Sequence, residues 1–382
     1  MESLVLILLV LATIAITSIL VVTFSKKRTV VKDTSIDDYI EGLNQLIAGN
    51  KETALEKLKE TVRKDTNNIN AYIKIGDIYR ELGRPDRAVR IHRELTIRRD
   101  LNPEQRLEIL KSLLLDFQVA KRYDRALLMA EKILEIDKKN LWAHQMQLKL
   151  YEEKQDWDKA FEVLRWLLDA RDEKNERLLA LYKVQAGLRL VEEGREREGR
   201  IKFREAMKLD ETCAPAYLYL GDSYIRENRT KDALEVLRLF IKKVPRFSFL
   251  AFDRMKDVLF EVGSFGELET IYETLLHQHP DVENVRFALA EIYEKKGEIN
   301  RAIALCEQVL ETEPNSKVAR LHLVKYYYKS GQQSRAMNKA LRLIDELLSE
   351  RNTFHCKVCG WENKQPFWHC PQCHQWDTCF NQ

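Results

Sequence analysis

Three regimes of hydrophobic and polar patterning follow one another along the 382-residue chain. The first is SLVLILLVLATIAITSILVVTF (3–24), an apolar run without a single charge. As a helix it would reach about 33 Å, enough for a hydrocarbon core of roughly 30 Å. A cleaved signal peptide would have a basic start and a shorter apolar run. Here Glu2 is the only early side-chain charge, and no A-x-A site follows. The pattern predicts a transmembrane anchor over 1–25, followed by a basic juxtamembrane linker over 26–34 containing Lys26, Lys27, Arg28 and Lys32. Since no Lys or Arg precedes the apolar run, the positive-inside rule puts the rest of the chain on the cytoplasmic side.

The second regime, 35–350, is periodic. Gly42, Gly76, Gly187 and Gly221 share a column, and twelve positions later stand Ala54, Ala88, Gly199 and Ala233. Ala126, Ala160, Ala302 and Ala336 continue the small-residue column. Tyr79, Phe117, Tyr151, Tyr224, Tyr293 and Tyr327 form an aromatic column, and Pro245, Pro280 and Pro314 close their units. Nine repeats starting near 35, 69, 107, 141, 180, 214, 249, 283 and 317 fit these columns. Five of the eight spacings are equal, and the others are slightly longer. Small residues on two helices let the backbones approach, and the aromatic fills the space beside them. The units near 107, 180 and 249 follow the pattern least, and Gly297 reads as a turn residue.

The pattern resembles the tetratricopeptide repeat, a helix–turn–helix unit of about 34 residues that stacks into a solenoid with a concave groove. Groove candidates on the first helix of each unit are Asp77, Arg80, Trp142, Lys149, Asp222, Arg226, Lys325 and Tyr328. No Lys/Asn set suited to gripping a peptide carboxylate is evident. With only 13 Gly and 8 Pro, an all-β sandwich or barrel is not expected. The 63 basic and 60 acidic residues nearly cancel, so net charge gives no case for nucleic acid.

The third regime, 351–382, holds five of the seven Cys and three of the six Trp. Cys356-x2-Cys359 and Cys370-x2-Cys373 follow one another closely. Two such hairpins complete a tetrahedral S4 shell. About 30 residues cannot build an adequate core, so metal must stabilise them. Disulfides are not expected in a cytoplasmic domain. Zinc and iron both accept S4. The knuckles resemble rubredoxin, an iron protein, but His374 stands where rubredoxins usually have Gly, which favours structural zinc. Trp361, Phe367, Trp368 and Trp376 are expected to cover the site and dock it on the last repeats. His355, His369 and His374 read as flanking groups, Cys379 as a fifth thiol outside the shell, and Cys213 and Cys306 as small core residues. No P-loop, G-x-G-x-x-G, H-E-x-x-H or G-x-S-x-G occurs. A shell closed by four Cys leaves no position for an activated water, so a non-enzyme is expected.

Anchor, repeat array and CKVCG…CPQCH module in this order resemble the lipopolysaccharide assembly protein B family over essentially the whole chain. The fold expected is all-α: a tetratricopeptide solenoid with an N-terminal transmembrane helix and a small C-terminal rubredoxin-like zinc module. The resemblance implies a bacterial inner-membrane adaptor that works with the AAA+ protease FtsH and with other inner-membrane lipopolysaccharide assembly proteins. It would promote degradation of the lipid A pathway deacetylase and so limit lipopolysaccharide synthesis. It also implies that the module packs on the repeats, and it assigns the metal to Cys356, Cys359, Cys370 and Cys373. Two other readings are a general membrane-tethered scaffold for envelope assemblies and a redox rubredoxin.

Overall fold

The computed structural model describes Thr17, residues 35–350, 354–363 and 365–381. The apolar segment 3–24 and its basic flank lie outside the described residues, Thr17 apart. No helix among the described residues is long and apolar enough to cross a membrane.

Helices come in antiparallel pairs. The first compact unit, ending at Asn175, holds α1 (35–47), α2 (Lys51–Lys64), α3 (Ile69–Glu81), α4 (Pro85–Leu95), α5 (Pro103–Val119), α6 (Tyr123–Ile136), α7 (Leu141–Glu153) and α8 (Trp157–Ala170). The second, beginning at Glu176, holds α9 (Glu176–Glu192), α10 (Glu196–Leu209), α11 (Ala214–Arg226), α12 (Thr230–Lys243), α13 (Phe252–Glu261), α14 (Glu267–Gln278), α15 (Glu283–Lys295), α16 (Ile299–Thr312), α17 (Lys317–Lys329) and α18 (Gln333–Glu350). A 3-10 helix over Pro245–Ala251 precedes the short α13, in one of the three units that follow the repeat columns least. The longer spacings after 69 and 141 are absorbed at helix N-termini. Both α5 and α9 have 17 residues and start just before the repeat start that the columns give. Pro103 and a reciprocal Asn102/Gln105 capping box fix the earlier start of α5.

The small-residue columns mark where paired helices touch. A Cβ on Gly76 would sit 2.4 Å from the His92 ring, and one on Gly187 would sit 2.5 Å from the Phe203 ring. The opposing column, Ala54, Ala88, Ala126, Ala160, Ala233 and Ala302, is fully buried. Cys306 and Cys213 are buried, as small core residues should be.

Every turn within a pair holds one residue in the left-handed region, always fifteenth from the repeat start. They are Gly49, Gly83, Gly194, Gly263, Gly297 and Gly331, with Lys121, Gln155 and Asn228 at φ 55–56°. The residue after each closes a short loop by donating its N–H to the carbonyl five positions back, as Arg84 does to Tyr79 and Glu298 to Tyr293, both at 2.8 Å. In six of the nine turns the aromatic column supplies that carbonyl. It also takes a cation eight positions on: Arg87 over Tyr79, Arg125 over Phe117, Lys159 over Tyr151, Arg301 over Tyr293 and Arg335 over Tyr327, at 3.8–5.9 Å.

After α18 the chain forms a small antiparallel sheet of order β2-β1-β3, from β1 (Phe354–Cys356), β2 (Glu362–Asn363) and β3 (Cys379–Asn381).

Candidate metal centre and groove residues

The two Cys-x2-Cys segments fold identically. In the first, Cys356 donates its N–H to the Trp361 carbonyl and accepts from Gly360 N–H; in the second, Cys370 donates to Gln375 and accepts from His374. Gly360 (φ 73°) and His374 (φ 56°) occupy the same left-handed position. His374 therefore replaces a glycine in a turn that favours one, at some conformational cost.

These turns bring Cys356, Cys359, Cys370 and Cys373 together, all four Sγ atoms within 4.8 Å of one another. Cys356–Cys373 and Cys359–Cys370 stand 3.6 Å apart, pairing the knuckles crosswise. A tetrahedral S4 shell with bonds of about 2.3 Å requires sulfurs about 3.8 Å apart, so this donor set fits such an ion. Burial opposes ionisation of Cys356, but Thr378 Oγ1 at 3.2 Å and the N–H groups of Cys359 and Val358 hold its thiol down to about 6. A backbone hydrogen bond from Gln375 favours the Cys373 thiolate. Burial and the three neighbouring thiols outweigh it and push Cys373 up to about 12. One thiolate forms readily and the next meets its charge, a repulsion that a divalent cation would relieve.

Cys379 pairs with Cys356 across β1 and β3 and takes the Phe367 N–H at 3.5 Å, outside the thiol group. His355 faces Glu362 at 3.4 Å. His369 packs at a tilt against Trp376, with centroids 4.5 Å apart. Trp361 and Phe367 pack edge to face beside the cysteines. Trp368 and Trp376 depart from expectation: they are 67% and 73% exposed and cover neither the cysteines nor the repeats.

The groove candidates also change meaning. Arg80 bonds Asp77 (2.7 Å) and Asp116 (2.8 Å). Asp116, fully buried on the next repeat, also receives His92 Nδ1 at 2.6 Å. Arg254 grips Asp222 with two bonds of 2.6 and 2.9 Å. Arg226 bonds Glu196 at 2.7 Å, and Lys325 bonds Glu294 at 2.6 Å. Burial would raise the Glu196 and Glu294 carboxyls, yet their cationic partners hold both below the usual range. Ser112 of the next repeat also donates its hydroxyl to Asp77 at 3.2 Å, so five of the eight candidates tie neighbouring repeats together. Trp142 lies under Lys111. Lys149 and Tyr328 are exposed. The sequence signal for these ties was a charge recurring about one repeat length from its opposite, visible only once the repeat register is set.

Family descriptions of the tetratricopeptide repeat match residues 71–104, 215–246 and 259–321, and one of a rubredoxin metal binding domain matches 354–379. Lipopolysaccharide assembly protein B of Escherichia coli (strain K12) is 23% identical over 343 residues, 89% of this chain and 88% of its own. Its namesake from Haemophilus influenzae is 23% identical over 353 residues, with the same coverage. The resemblance read from the motifs is met by these relatives. Among solved structures, a tetratricopeptide repeat protein from Parabacteroides merdae is 14% identical over 76% of this chain and 98% of its own, with a TM-score of 0.30.

Proposed function

We propose that this chain, similar along nearly its whole length to lipopolysaccharide assembly protein B, is an inner-membrane adaptor that regulates lipopolysaccharide synthesis. In this reading residues 1–25 anchor it, 26–34 link, 35–350 form the repeat array and 351–382 hold zinc through Cys356, Cys359, Cys370 and Cys373. The array binds FtsH or its client, the lipid A pathway deacetylase, and promotes proteolysis of that deacetylase. Anchoring raises the effective concentration of array and membrane partner without a new contact. The observation that carries the reading is one order of parts, repeats then a four-cysteine module, matched over 89% of the chain. Zinc is preferred to iron because the second knuckle carries His374 in the glycine position. A colourless purified protein with one zinc equivalent supports this, whereas visible ferric S4 absorption would replace zinc by iron.

The test is affinity capture from gently solubilised membranes, beside a Cys370→Ser, Cys373→Ser variant. Recovery of FtsH or the deacetylase, weakened in the variant, is expected. Capture of other envelope proteins alone would leave only a membrane-tethered scaffold.

A further inference from the structure

Helix α4 is 11 residues long, where α2, α6, α8, α10, α12 and α16 each have 14. Local chemistry ends it early. Thr96 Oγ1 bonds back to the Arg93 carbonyl at 2.7 Å. Arg98 leaves the helix line to donate to the Thr66 carbonyl at 2.7 Å and to stack on Tyr72. The missing turn leaves a cavity of about 660 Å³ among the end of α4, the following loop, α5 and the end of α6. Its floor is Ile109, Leu110, Leu113, Phe117 and Met129, all buried. Its mouth carries Arg93, Arg106 and Lys132 against a single carboxylate, Glu135, all exposed.

Among the described residues none of these three cations is in a salt bridge, so no carboxylate of the fold neutralises the mouth beyond Glu135. A cavity of this size with an apolar floor and charged groups at its mouth has the form of a small-molecule site. The floor side chains present no hydrogen-bond partner, so a polar chain entering there would leave its own groups unsatisfied. Hydrocarbon meets no such cost, and the mouth favours an acid.

We propose that this cavity binds an anionic amphiphile, its hydrocarbon chain on the Ile109–Met129 floor and its carboxylate or phosphate head among Arg93, Arg106 and Lys132. This site is independent of the adaptor reading, because it uses neither the metal module nor any protein partner.

The test photolabels the full chain in nanodiscs of zwitterionic lipid with a diazirine-bearing dodecanoic acid, and maps the adducts by peptide mass spectrometry. Adducts are expected on α5 and α6, competed by dodecanoate or dodecyl phosphate and not by dodecanol or dodecyltrimethylammonium. The relative strength of the two acids tells a carboxylate head from a phosphate head. An Arg93→Gln, Arg106→Gln, Lys132→Gln variant, changed only at exposed positions, should label at least about tenfold less, since three charges are lost. Leu113→Trp, which fills the cavity, should abolish labelling. Equal competition by dodecanol, labelling unchanged in the triple variant, or adducts only elsewhere would overturn the proposal. So would displacement by an acidic amphipathic peptide but by neither acid.

Discussion

At the scale of single residues, the left-handed turn position shows how little of the repeat is free to vary. Six of its nine occupants are Gly; Lys121 and Gln155 hold φ 55–56° with a full side chain. That conformation costs a non-glycine residue roughly 1–2 kcal/mol, partly offset by the greater unfolded-state entropy of glycine. Gln155→Gly should therefore stabilise the first unit by about 0.5 kcal/mol and Gly83→Ala destabilise it by about 1 kcal/mol. Urea midpoints of the two variants check the opposite signs. His322 gives a pH dependence. It stacks on Phe287 with centroids 5.2 Å apart, and burial lowers its pKa below 6.5. The facing groups are Glu291 and Glu294, which favour the charged ring, and Lys325, which opposes it. The fold prefers the neutral ring. Its contribution is complete above the unfolded-state pKa of about 6.5 and falls as pH drops below it toward the folded value. His322→Gln should flatten the fall in urea midpoint between pH 7 and 5. The lowered carboxyls Glu196 and Glu294 act in a separate window, their stabilisation being lost only as pH falls below about 4.5.

At the scale of elements, the two widest repeat spacings, from 69 to 107 and from 141 to 180, were legible as insertions, but not their direction. Propensity alone does not say whether extra residues lengthen a loop or a helix. Asn102 and Pro103 decide for α5, and the loss of a turn from α4 depends on where Arg98 finds its partner in space. The knuckles were fully legible in spacing, since a Cys-x2-Cys turn is local. The outward Trp368 and Trp376 were not, because an aromatic's burial depends on what packs above it. With a core of Cys356, Phe367 and Cys370 the sheet is too small to stand alone. Cys370→Ser should remove the bound metal equivalent and unfold 354–381 while leaving the helical circular dichroism nearly intact. Loss of most helical signal would mean that array and module do not fold separately.

At the scale of the whole molecule, the array behaves as a sum of neighbouring pairs. Gly76 and Gly187 lie in different compact units, each facing a ring that a methyl would strike. Gly76→Ala and Gly187→Ala should each cost about 1–3 kcal/mol by overpacking. Their effects should add in the double variant, because they share no partner. Denaturation of the four proteins, followed by circular dichroism, measures this; a coupling above about 0.5 kcal/mol would contradict it.

The chain's own pattern determined what is local or periodic: paired helices, the small and aromatic columns, and four thiols at knuckle spacing. Each follows from backbone geometry over a short stretch, repeated. Only the tertiary structure decided which charges are spent. Asp77, Arg80, Asp222, Arg226 and Lys325 look like free groove residues in sequence, and each is held by an opposite charge. Arg93, Arg106 and Lys132 look like any solvated surface and surround an apolar cavity unpaired. A charge's fate depends on partners a whole repeat away, brought near by packing, and no local rule carries that distance.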